Sequence, residues 1–234
     1  WWRRRFEQMS HYFDTFRIDH ILGFFRIWSI PTDAVEGIMG VFVPAMPVHV
    51  TEFGERGIWF DFERYCLPYI TDAVLTQTFG DDARFVKDHL LQVNNRGGYD
   101  LLEAFDTQQK VEVYFANSPS ETAHLKQGLF DLISNVILFE HKGSDHREFH
   151  FRISIESTSS FQHLDESTKG KLKELYIDYF FRRQDSFWKA EALNKLPALK
   201  EATNMLICGE DLGMVPHSVP DVMKRLGFGF AFVA

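Results

Sequence analysis

The chain has 234 residues, is 45% hydrophobic and includes 24 Phe, enough apolar material for a substantial core. A formal net charge of −8 argues against nucleic-acid binding, nothing approaches a membrane span or a signal peptide, and two cysteines are too few for a disulfide framework. These features fit a cytoplasmic α/β protein with Cys66 and Cys208 as reduced thiols.

The first element is a helix. Trp2, Phe6, Met9, Phe13 and Phe16 recur at alternating four- and three-residue steps and form one apolar stripe, while Arg3, Arg4, Glu7 and Gln8 lie opposite. A β-prone Phe16-Arg17-Ile18 follows, with Asp19 at the exit of that strand and Gly23 letting the loop turn. On a strand, the two-residue spacing of Arg17 and Asp19 puts both side chains on one face, so the cation keeps the aspartate ionised.

The middle of the chain reads as mostly helical. Leu125, Leu129, Leu132, Ile133 and Val136 share one helical face, and Leu172, Leu175, Tyr176 and Tyr179 share another. Between them, Phe149, Phe151, Ile153 and Ile155 alternate with His150, Arg152 and Ser154, the pattern of a strand with one buried face. His141, His146 and His150 lack the Cys or carboxylate spacing of a zinc site, phosphate-binding Gly-rich loops are not found, and no cofactor is expected. The basic clusters Arg3-Arg4-Arg5 and Arg182-Arg183 are short and read as solvated helical faces.

Near the end, Asn204-Met205-Leu206-Ile207-Cys208 is an unbroken apolar run, as expected of a strand buried on both faces, and Glu210-Asp211 follows it. Ser218 and Pro220 then signal a helix start and Gly227 its end. In a parallel α/β barrel, side chains at strand ends are held rigidly around one mouth.

Two carboxylates at such a mouth suit glycosyl transfer with retention, provided their environments differ. Asp19, beside Arg17, is the nucleophile in this reading; Glu210 follows Met205 to Cys208 without an adjacent cation, so desolvation favours its protonated form and the acid/base role. Arg-x-Asp is equally the pattern of a plain ion pair, and Glu-Asp after a strand that of a solvated loop or helix cap.

Arg17-Ile18-Asp19-His20-Ile21-Leu22-Gly23-Phe24 and Gly209-Glu210-Asp211-Leu212-Gly213 resemble the 4-alpha-glucanotransferases known as amylomaltases or disproportionating enzymes, within the alpha-amylase clan. Trp1 to Phe6, Phe24 to Pro31 and Met223 to Gly227 extend the likeness over most of the chain. The resemblance implies Asp19 as nucleophile, Glu210 as acid/base, Arg17 as the partner of the nucleophile, and His20 as a sugar-hydroxyl contact, with Asp211 also in the substrate site.

Sugars present apolar C–H faces that stack on aromatic rings, so Phe24, Phe25 and Trp28, just past the nucleophile strand, are candidate platforms, with Trp28 preferred. The run from Phe180 to Trp188 is a further candidate groove lining, although core packing accounts for most such rings.

Asp19 and Glu210 are 191 residues apart, far more than one helix and its loops require between adjacent strands. An insertion is therefore expected, similar to the long-insert branch that includes the plant cytosolic disproportionating enzyme. The expected architecture is a partial (β/α)8 TIM barrel: residues 1–52 carry the nucleophile strand, 53–178 are a mostly helical insertion, and 179–234 carry the acid/base strand.

The expected substrates are maltose, maltooligosaccharides or glycogen-like glucans. The alternatives are an α-glucan hydrolase of the same clan and a catalytically incomplete glucan-binding fragment. The resemblance also implies a third catalytic aspartate on a later strand, with no counterpart here. With a start at Trp1 and an unfamiliar run from Phe228 to Ala234, the chain reads as a fragment.

Overall fold

A computed structural model describes residues 1–116, 122–210 and 215–231. The chain opens with α1 (Trp2–Met9) and β1 (Thr15–Ile18), a 3-10 turn over Ile21–Phe24, β2 (Ile27–Ser29), β3 (Val41–Val43) and β4 (Val48–His49). There follow α2 (Val50–Glu55), α3 (Phe62–Cys66), α4 (Asp72–Phe79), α5 (Ala83–Leu90), the pair β5 (Leu91–Val93) and β6 (Tyr99–Leu101), α6 (Gln108–Phe115) and α7 (Ala123–Ile133). The remainder is β7 (Leu138–Glu140), β8 (Glu148–Phe151), α8 (Ser159–Gln162), α9 (Glu166–Ile177), a π-helical stretch over Asp178–Arg183, α10 (Gln184–Lys200), β9 (Leu206–Glu210), α11 (Ser218–Leu226) and β10 (Gly229–Ala231).

This is a mixed α/β protein. Among the described residues the strands form small sheets of two or three members, and no closed barrel is seen. The chain divides into two compact units: one comprises Trp1–Trp28, Phe42–Met46 and Ile177–Ala234, the other Ser29–Val41 and Pro47–Tyr176.

The first unit is built on a parallel sheet in the order β1-β9-β10. Phe16 pairs with Ile207 and Ile18 with Gly209, while Gly229 and Ala231 of β10 pair with Cys208 and Glu210. Because side chains alternate along a strand, Phe16, Ile18 and Ile207 share one face, and they are buried in a core with Phe6 of α1, Trp188, Ala192, Leu196 and Leu199 of α10, and Val219, Val222 and Met223 of α11. Gly209 is needed on that face: a Cβ there would lie 2.5 Å from Met223 Cε and 3.0 Å from Ile21 Cβ.

Polar links fix the helices of this unit. Asp185 on α10 accepts hydrogen bonds from the backbone N–H (3.1 Å) and the hydroxyl (2.7 Å) of Ser218, holding the start of α11. Trp188 donates its indole N–H to the Pro44 carbonyl at 2.7 Å, so its polar edge is satisfied inside the core.

The second unit has its own core, in which α4, α5 and α7 pack with β5 and β6 through Leu75, Phe79, Val86, Leu129 and Leu132. The antiparallel sheet β4-β8-β7 buries Phe149 and Phe151.

Several sequence expectations are corrected here. α1 stops at Met9, and Phe13 is outside it and exposed, because the chain breaks away to start β1. The strand around Phe149 ends at Phe151, and His150 and Arg152 are buried as well as their apolar neighbours, so burial is not confined to one face. β9 begins at Leu206 and runs through Glu210; Leu206 is exposed and Cys208 only half-buried, so one face of the strand is far less covered than expected. The anticipated helix at 218 to 226 is present, closed by Gly227 at φ 66°, a left-handed cap that glycine adopts without cost.

Candidate active site

The sheet face opposite the helices carries Arg17 and Cys208, and the alternation continues along β9 to Glu210 at its end, while Asp19 stands in the turn that leaves β1. The parallel pairing of β1 with β9 runs as far as Ile18 and Gly209, so Asp19 is the first residue past β1 and Glu210, next after Gly209, is the last residue of β9. Segments 191 positions apart in sequence thus lie side by side in one sheet.

Their environments differ. The Asp19 side chain is 83% exposed and is paired with Arg17 at 3.2 Å, a contact held within one strand end. Glu210 is only 4% exposed. Its Oε2 accepts the backbone N–H of His20 at 3.0 Å, whereas Oε1 is buried with no hydrogen-bond partner among the described residues.

His20 makes this contact because the chain turns sharply there. Its φ of 54° and ψ of 62° are left-handed, a conformation in which histidine is more often found than most non-glycine residues. The turn that sequence reading assigned to Gly23 is made by His20; Gly23 instead donates its N–H to the His20 carbonyl at 3.0 Å within the 3-10 turn. Ile21, Leu22 and Phe25 are buried beneath that turn and anchor it.

The other candidates are held differently. Trp28 on β2 is half-buried and packs edge-on against Phe42, with ring centroids 4.7 Å apart. Phe25 is fully buried and Phe24 partly so. In the run from Phe180 to Trp188, Phe181 is exposed while Trp188 is core. Asp211 lies outside the described residues.

Arg17, Asp19, His20 and Glu210 thus converge at one sheet end through main-chain geometry. All four are candidates that the sequence singles out by residue type; the His20 amide and the clearance given by Gly209 were not anticipated. The left-handed tendency of histidine was a weak available signal; the Gly209 contact, being between distant segments, left none.

A family profile described as 4-alpha-glucanotransferase matches residues 1–233. The rice (Oryza sativa subsp. japonica) protein named 4-alpha-glucanotransferase DPE2 is 40% identical over 233 residues, which is 97% of this chain and 24% of that protein. A potato (Solanum tuberosum) protein named 4-alpha-glucanotransferase, chloroplastic/amyloplastic, is 42% identical over 40 residues, covering 17% of this chain and 7% of its own. No solved structure matches. The chain therefore spans about a quarter of the rice relative. With a family match running almost end to end and the rice likeness covering nearly every residue, the chain belongs to the 4-alpha-glucanotransferase family, glycoside hydrolase family 77.

Proposed function

We propose that this chain supplies the nucleophile and the acid/base of a 4-alpha-glucanotransferase acting by double displacement. An Asp19 oxygen attacks the anomeric carbon of the donor, the glycosidic C–O bond breaks, and the departing oxygen takes the proton of Glu210. In the second half-reaction Glu210 takes the proton of an acceptor sugar hydroxyl, whose oxygen displaces Asp19 from the same carbon. Two inversions give net retention. Neither step calls for a cofactor.

The observation that supports this reading is that β1, which Asp19 directly follows, pairs in parallel with β9, which Glu210 ends, and that the His20 N–H reaches Glu210 Oε2. The contrast in exposure supports the division of roles: Asp19 is open and paired with Arg17, and Glu210 is enclosed. Arg17 orients the nucleophile, and the His20 imidazole, Trp28 and Asp211 contact sugar.

The parallel order β1-β9-β10, with helices on one face, suits part of a (β/α)8 barrel whose interior face bears the carboxylates, and residues 53–178 then form an insertion between barrel strands. Donors are maltose and maltooligosaccharides and acceptors include glycogen-like glucans. The free thiols Cys66 and Cys208 suit a reducing, cytoplasmic setting.

The full-length enzyme incubated with maltotriose should produce oligosaccharides longer than the donor. Products limited to maltose and glucose would establish hydrolysis instead of transfer.

A further inference from the structure

Building on the assignment of Asp19 and Glu210, we infer that His20 is a positioning residue whose left-handed backbone, separately from its imidazole, holds the acid/base carboxyl and commits the working proton to Glu210 Oε1. The His20 N–H meets Oε2 at 3.0 Å. When Glu210 carries the proton of the reaction, the oxygen that accepts the amide N–H acts as the carbonyl-type oxygen, which leaves the other oxygen to hold that proton. That oxygen, Oε1, has no competing hydrogen-bond partner among the described residues.

The His20 N–H lies in the Asp19–His20 peptide plane, and the φ of 54° at His20 turns the chain that follows back beneath β9; an extended or right-handed residue there would pull Ile21 out of its seat and shift the plane that carries the N–H. The conformation is held from below. Ile21 is fully buried, and its Cβ lies 3.0 Å from where a Cβ on residue 209 would stand, so the bare Gly209 backbone lets the turn settle close to β9. Gly209, Ile21 and the His20 amide therefore form one mechanical link between the nucleophile strand and the acid/base.

The test separates backbone from side chain in the full-length enzyme. His20→Gly and His20→Val both remove the imidazole, but only glycine adopts positive φ freely. With maltotriose as donor, His20→Gly should raise KM and retain most of kcat, while His20→Val should lose a further tenfold or more in kcat. His20→Ala, with an intermediate backbone preference, should fall between them and serves in place of the valine variant if that does not fold.

α-Glucosyl fluoride with azide supplies the second readout. Fluoride leaves as an anion when Asp19 bonds to the anomeric carbon, and azide then attacks that carbon as an anion to give glucosyl azide, so no proton is handled by Glu210 in either step. On this pair His20→Val should come within a few-fold of His20→Gly. Equal kcat losses for the two variants with maltotriose, or a valine deficit that persists with fluoride and azide, would overturn the inference. Asp19→Asn should be inactive with maltotriose and should give no glucosyl azide of retained configuration from the fluoride; retained product there would show instead that the underlying assignment of the carboxylates is wrong.

Discussion

At the scale of single residues, the site depends on what is absent as much as on what is present. Gly209 tolerates no Cβ without movement of Met223 or Ile21, one on α11 and the other under the His20 turn. Gly209→Ala should destabilise the protein by about 1–3 kcal/mol, the range for overpacking a filled interior, as read from urea unfolding. Unchanged stability would mean that the contact relaxes freely. Asp19 and Glu210 stand out in the sequence as candidates because each carboxylate lies just beyond an apolar run. The turn at His20 does not, because local composition favoured Gly23 and the force selecting the left-handed residue is burial of Ile21, Leu22 and Phe25.

At the scale of elements, sequence periodicity worked where burial follows a single stripe and failed where the chain is pulled off course. α11 matches its Ser218, Pro220 and Gly227 signals. α1 ends early although Phe13 continues the apolar spacing, since the next residues must enter β1 alongside β9. In β8 the alternation of Phe149 and Phe151 with His150 suggested a solvated face; His150 is instead buried, with its Nε2 2.8 Å from His141 Nδ1. Asp185 was silent in sequence because its importance comes from Ser218, a partner on another helix. Asp185→Ala leaves the Ser218 N–H and hydroxyl without that acceptor, and a loss of about 1–2 kcal/mol is expected by thermal or urea denaturation. A loss restricted to a few tenths would show that water replaces the carboxylate at no cost.

At the scale of the whole molecule, pH dependence is set partly by His150. Burial, and then the charge of neighbouring His141, lower its pKa from 6.5 to about 4. The unfolded chain therefore binds a proton that the folded chain refuses, so this contribution is complete above pH 6.5 and is lost as pH falls toward 4. Stability should decline on acidification through this window with a slope approaching about 1.4 kcal/mol per pH unit, and His150→Gln should flatten it. An unchanged slope in that variant would assign the decline to other groups.

The feature of the whole molecule that sequence could suggest but not build is the pairing of β1 with β9. The 191 residues between Asp19 and Glu210 hide that adjacency from any local pattern, and only the motif resemblance joined the two ends beforehand. The central claim, that Asp19 becomes bonded to the sugar, is tested most directly by trapping. A Glu210→Ala variant of the full-length enzyme, given α-glucosyl fluoride without added acceptor, should accumulate a covalent adduct, because the base that activates the acceptor is gone. After rapid acid quench and proteolysis, mass spectrometry should place one hexosyl group on the peptide containing Asp19. A hexosyl group on a different carboxylate would contradict the account.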